Sequence, residues 1–132
     1  GSVQLRKFDE IHAKRRINKA NLDGIFEKVD GLRTINELEE SETSWFGVPI
    51  VCRDKKQKTA LVKHLEDNRV QTRNYFAGNI LQHPGYRHLG DASKYPKANQ
   101  VLDKVFFVGC SPTITEEMID YVDQVVKNFN NE

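Results

Sequence analysis

No stretch of this sequence approaches the run of about eighteen apolar residues that a membrane-crossing helix requires. Charge of one sign is also lacking: twenty Lys and Arg stand against nineteen Asp and Glu. Net charge therefore gives no reason to expect attraction to nucleic acid or to a membrane surface. Cysteine is scarce. Cys52 and Cys110 lie 58 positions apart, which fits reduced, partly buried thiols in a cytoplasmic protein better than a disulfide framework. The four histidines, His12, His64, His83 and His88, fall into none of the short spacings that hold a metal. Glycine-rich phosphate loops, a Walker lysine and a Gly-x-Ser-x-Gly elbow are all missing, as are internal repeats and low-complexity tracts.

At 132 residues the chain suits one domain that buries roughly two-thirds of its unfolded surface. Gly1-Ser2 reads as the scar of a cleaved expression tag. From Val3 to Gly31, apolar residues from Leu5 and Phe8 to Phe26 and Val29 recur at three- and four-residue intervals, predicting one long helix. Lys14, Arg15, Arg16 and Lys19 fall largely off that stripe; as a cluster they can bind phosphate, but a solvated helix face is the expectation. So long a stripe asks for more partner surface than a small domain offers. Leu32 to Glu42 is polar, a loop or a short turn of helix. Ser44 to Cys52 reads as a strand, at an edge or bulged because Pro49 lacks a donor.

Asp54 with Gln57 forms a capping box for a helix to about Asp67, with Ala60, Leu61, His64 and Leu65 inward and His64 a satisfied core histidine. Asn68 is expected to end it in the left-handed conformation, and Arg69 to Arg73 to begin a second strand. Pro96 opens a helix through Lys104, Val105 to Val108 is a short buried strand, and Thr115 caps a last helix with Met118, Ile119, Val122, Val125, Val126 and Phe129 on its stripe. The fold class expected is α/β (α+β): a two-layer sandwich, with a small antiparallel or mixed sheet of about three strands and helices packed on it.

Thr72 to Tyr86 (TRNYFAGNILQHPGY) concentrates polar and aromatic chemistry beyond what a connector needs, and it leaves a strand end, where a scaffold can hold side chains in place. Arg73 can offer a forked donor to a phosphate or carboxylate, or form a surface salt bridge. Phe76 can stack on a sugar or cofactor ring, or anchor the core. Asn79 can bond sugar hydroxyls or a cofactor edge, or stabilise a turn. His83 and Tyr86 are candidates for contact with a ligand, or for holding the loop together.

These pieces together, SWFGVPI, LVKHLEDNRVQTR, FAGN with QHPGYR, and VFFVG with SPTITEEMIDYV, resemble the C-terminal small domain of the DegT/DnrJ/EryC/StrS sugar aminotransferase superfamily. The resemblance is strongest to its RfbH-like branch, the CDP-4-keto-6-deoxy-D-glucose 3-dehydrases of lipopolysaccharide biosynthesis. It implies the small domain of an aspartate-aminotransferase fold, with residues 3–31 as the linking helix and 43–130 as the small domain. It also implies a pyridoxal or pyridoxamine phosphate held mainly by an upstream large domain, a nucleotide-sugar substrate, and a homodimer in the cytoplasm. Arg73, Phe76, Asn79, His83 and Tyr86 would line the substrate cleft, and no catalytic or metal-binding residue would lie in this chain. The branch's iron–sulfur cluster, with an iron–sulfur reductase as a candidate partner, would belong upstream. A histidine in place of the Schiff-base lysine would mark a dehydrase, and a lysine an aminotransferase. A non-catalytic binding module is the reading outside the superfamily.

Overall fold

The computed structural model describes residues 1–129. The opening apolar pattern forms two helices, α1 (Ser2–Leu5) and α2 (Phe8–Phe26), interrupted at Arg6 and Lys7. Gly31, at a φ of 79°, then supplies the left-handed turn that reverses the chain. The polar stretch that follows contains a strand, β1 (Arg33–Thr34). Next come β2 (Gly47–Val51), α3 (Lys55–Asp67), β3 (Thr72–Asn74), α4 (Pro96–Lys104), β4 (Val105–Gly109) and α5 (Glu116–Lys127).

The sheet has four strands where about three were expected, in the order β1-β2-β4-β3, and every pairing is antiparallel. The extra strand was hidden because two residues carry no alternation to read. β2 is flanked on both sides, yet Pro49 remains compatible with it. The register sets Thr34 opposite Ile50, so β1 ends one residue short of Pro49, whose missing donor lies beside no ladder there.

Alternation along β2 and β4 sends Val48, Ile50, Phe106 and Val108 to one face, where Leu22, Ile25 and Phe26 of α2, Leu61 and Leu65 of α3, and Val125 and Val126 of α5 close over them. Each large side chain enclosed there contributes about 1.5–3 kcal/mol. Cys52 and Cys110 continue the same face as free, buried thiols. Burial pushes them up to about 12 and about 11 respectively.

The caps follow the sequence closely. Asp54 Oδ1 accepts from the Gln57 amide at 2.8 Å, and Gln57 Oε1 reaches back to the Arg53 amide at 2.8 Å. Thr115 accepts from the Met118 amide. His64 Nε2 donates to the Val125 carbonyl, 2.7 Å away, and the ring packs on Phe129, the satisfied core histidine expected of it. Ala60 and Met118, by contrast, face solvent.

The end of α3 differs in detail. Asn68 stays out of the left-handed region, and Arg69 occupies it with a φ of 60°. The Val70 amide bonds Leu65 O and the Arg69 amide bonds Glu66 O, a Schellman motif that shifts the left-handed position one residue on. Asn68 instead uses its side chain, donating to His64 O at 2.8 Å.

Of the basic cluster of α2, Lys14 is exposed as expected and pairs only with Glu10, while Arg15, Arg16 and Lys19 are engaged by other segments. Arg16 forks onto Glu37 at 2.7 and 2.9 Å. Arg15 bonds Trp45 O, and buried Lys19 pairs with Asp23, bonds Ile35 O and stands 4.4 Å from the Trp45 ring. These cations pin the segment between β1 and β2, and so fix where Phe46 enters the sheet. Leu5, Phe8 and Ile17, on the first part of the predicted stripe, remain exposed. Asn130, the last residue assigned to the small domain, lies outside the described residues.

Candidate substrate-facing surface

The segment after β3 forms no further strand before α4. It winds through three 3-10 turns, Ile80–Gln82, Pro84–Leu89 and Ala92–Lys94. Asn79, Pro84 and Asp91 start these turns in succession: Asn79 accepts from the Leu81 amide, and Asp91 from the Ser93 amide. Gly78, at a φ of 57°, brings the segment down on α4. A Cβ there would stand 2.6 Å from Leu102 Cβ, so no side chain fits without moving one of the two elements. Lys58, itself buried, donates to Asn74 Oδ1 at 3.0 Å and to Leu102 O at 2.6 Å. It thereby joins α3, the end of β3 and α4 at one point, and its burial holds its ammonium below the usual lysine range.

On this base the five candidate residues divide. Arg73 is exposed and makes no ion pair among the described residues, so the salt-bridge alternative is not realised. It sits opposite Phe107 in the β3–β4 register, so both side chains leave the sheet on the face turned away from the helical core. Phe76 is 72 % exposed and therefore no core anchor. Its backbone is left-handed, at a φ of 51°, a conformation that costs a bulky residue free energy and is found where surrounding structure imposes it.

Tyr86 is half exposed. Asn79 is 3 % exposed and saturated: its amide nitrogen donates to Ala92 O and Asn99 Oδ1, and its oxygen caps the turn. Those bonds match the turn-stabilising alternative. His83 bonds the Ala77 carbonyl at 2.9 Å within the same segment.

Sequence reasoning missed the partners of Phe76. Phe107 lies beneath it with ring centroids 6.1 Å apart, Tyr75 meets both at 5.3 and 6.3 Å, and Phe46 covers Phe107 from the other side at 5.7 Å. Gly47 makes room for this, since a Cβ at that position would come within 2.5 Å of the Phe107 ring. The signal was present in VFFV: period-two alternation sends Phe106 and Phe107 to opposite faces. Phe46, read as part of a strand, lies just outside it. The result is an open aromatic face with a guanidinium at its side, suited to stacking on a flat group and to holding an anion.

The profile of the DegT/DnrJ/EryC1/StrS aminotransferase family matches residues 1–127. The chain belongs to that family. It is 29 % identical over 137 residues to lipopolysaccharide biosynthesis protein RfbH of Salmonella typhimurium, an alignment covering 98 % of this chain and 31 % of that protein. It is 33 % identical over 130 residues to a dTDP-4-dehydro-2,6-dideoxy-D-glucose 3-dehydratase of Saccharopolyspora spinosa, covering 96 % and 28 % respectively. The E. coli GDP-4-keto-6-deoxy-D-mannose-3-dehydratase with bound hydrated PLP superposes with a TM-score of 0.77 at 25 % identity, over 96 % of this chain and 33 % of that one. The chain thus spans less than a third of the length of these two curated relatives. Within the family match, the small-domain fold with its helices on one side of an antiparallel sheet agrees with the expected class.

The candidate segment does not make a pyridoxal phosphate site by itself. Thr72 to Tyr86 contains no acid to face a pyridine nitrogen. The lysine held closest to it by hydrogen bonding, Lys58, gives its ammonium to Asn74 and Leu102. Among the described residues no group of His, Cys, Asp and Glu could hold a metal ion, and no helix is long and apolar enough to cross a membrane.

Proposed function

We propose that this chain is the small domain of a pyridoxamine- or pyridoxal-phosphate-dependent sugar-nucleotide 3-dehydrase that makes deoxysugars for lipopolysaccharide O-antigen, and that it forms one wall of the substrate cleft. The observation that carries this is the open face of Arg73, Tyr75 and Phe76, packed over Phe107 on a sheet whose other face is closed. Two curated relatives, and a solved structure with bound PLP, whose names are dehydratases or a lipopolysaccharide protein support the class of reaction. When bound, the cofactor would supply the electron sink for removing the C3 hydroxyl. This chain contributes orientation: Arg73 offers a fork to the anionic part of the substrate, Phe76 and Tyr86 stack against flat or apolar groups, and Asn79 and His83 hold the segment in shape beneath them.

The cofactor is held mainly by the large domain upstream, residues 3–31 link the two domains, and the complete enzyme is a cytoplasmic homodimer. Any iron–sulfur cluster of the complete enzyme, and the reductase that would serve it, would belong to that upstream part, because Cys52 and Cys110 lack the close spacing of cluster ligands. A nucleotide-sugar aminotransferase is the second reading, favoured by the name of the family itself.

Two measurements test the proposal. Pyridoxal phosphate added to the 132-residue chain should leave its absorbance that of free cofactor, and tight binding would overturn the placement of the site. In the complete protein, a histidine at the Schiff-base position fits the dehydrase and a lysine the aminotransferase. A protein that neither dehydrates nor transaminates nucleotide sugars would leave the binding module.

A further inference from the structure

A groove of about 710 Å³ runs between one end of the sheet, at Arg33 and Val51, and helix α4. Its lining contains four cations, Arg33, Arg53, Lys97 and Lys104, and no acid. The nearby acids are engaged elsewhere or with only one of the four: Asp30 and Asp54 stand 3.5 and 3.6 Å from the Arg53 guanidinium, and Asp103 pairs with Lys55 at 3.5 Å. Among the described residues the side chains of Arg33, Lys97 and Lys104 take part in no hydrogen bond or ion pair.

In a chain whose formal net charge is only +1, this is a local concentration of positive charge around one concavity. Like charges so placed raise the local potential and draw a counter-charge. The floor is apolar, formed by Leu32, Val51 and Val105, so the groove combines a charged rim with a surface on which an organic group can lie. Its volume falls within the range of small-molecule sites, about 300–1,000 Å³.

We infer that this groove binds a compact multivalent anion of the phosphate class, with the Arg33 fork and the Lys97 and Lys104 ammonium groups as its counter-charges. An arginine fork matches two phosphate oxygens at once, while lysines add point charge without fixing geometry. Such an anion has two sources, a free polyphosphate or a phosphate group carried on a larger organic molecule. None of the lining residues belongs to Thr72–Tyr86, so the inference stands independently of the substrate-wall reading.

The test is a titration of the ¹⁵N-labelled 132-residue chain, followed by amide chemical shifts, with inorganic pyrophosphate and separately with ADP. Saturable shifts are expected at Arg33, at Val51 to Arg53 and from Lys97 to Val105, weakening as ionic strength is raised about tenfold. The Arg33→Gln, Lys104→Gln double variant should weaken binding by at least about tenfold, two charge-assisted contacts being lost. Lys63→Gln, on the exposed side of α3, should leave it unchanged. Should the double variant lose its fold, Lys97→Gln alone tests the same charge. Tighter binding of ADP places the carried phosphate in the groove, and equal binding places the free anion there. Shifts that stay linear and spread to Lys63, or binding untouched by the groove variants, would overturn the inference.

Discussion

Phe106 and Phe107 are neighbours in β4, both little exposed, and enclosed by different kinds of material. Phe106 is covered by helices α2, α3 and α5, elements whose own backbones are hydrogen-bonded and fixed. Phe107 is covered by Phe46, Tyr75 and Phe76, side chains from irregular segments that are 66 %, 37 % and 72 % exposed. The helical face is finished within the chain. The aromatic face is covered by groups that themselves present large apolar surface to whatever approaches, the condition under which exposed aromatics mark contact surfaces. On the function proposed, the two sides of one sheet would divide stability from recognition.

The largest effect should come from the finished side. Phe106→Ala should lower the unfolding free energy by about 3–5 kcal/mol in urea, and a loss below about 1 kcal/mol would erase the contrast between the faces. On the open side, Arg73→Gln should change stability by less than about 0.5 kcal/mol. In the complete protein it should raise KM for the nucleotide sugar by about 10- to 100-fold, the effect of losing a charge-assisted pair. Phe76→Ala should act in the same direction by about tenfold or less, and a loss of fold without any change in KM would make the ring structural instead.

The segment that delivers Phe46 can be loosened by acid. The Arg16 fork, with help from the Thr43 amide, holds the Glu37 carboxyl down at about 2. A depressed carboxylate pKa gives stability that is fully present above the ordinary value near 4.5 and is lost as pH falls toward 2. The melting temperature of the wild-type chain should therefore drop through that window more than that of Glu37→Gln. Equal slopes would show that the pair contributes nothing. At the left-handed residue that ends α3, Arg69→Gly should raise stability by a few tenths of a kcal/mol, up to about 1 kcal/mol, in a urea melt, since glycine takes that position without steric cost.

Much of the helical face was legible because its signals are local. Asp54 and Thr115 each announce a helix start by accepting from the amide three residues on, Pro96 does so by its fixed φ at the first position, and the apolar stripes of α3 and α5 have the helical period. β1 was illegible because its strand character comes from pairing with Val51 and Ile50, not from its own two residues. The fate of the α2 cations was illegible for a related reason: Arg16 and Glu37 are 21 positions apart, and only the folded chain joins them. Within the candidate site, Arg73 and Phe76 could be read as outward-facing chemistry following a strand. The saturation of Asn79 depends on Asn99, a residue from another helix, and no local pattern reveals that.

Gly78 sits against Leu102 with no space for even a methyl group. Anyone wishing to reshape the aromatic face would therefore gain nothing by decorating the loop at that point, where every addition pushes outward. Trimming the leucine to alanine would not relieve this, because its own Cβ and Cα are among the three nearest atoms. The loop thus rests on the helix chiefly through backbone and first side-chain carbon, a seat that survives changes farther out along residue 102.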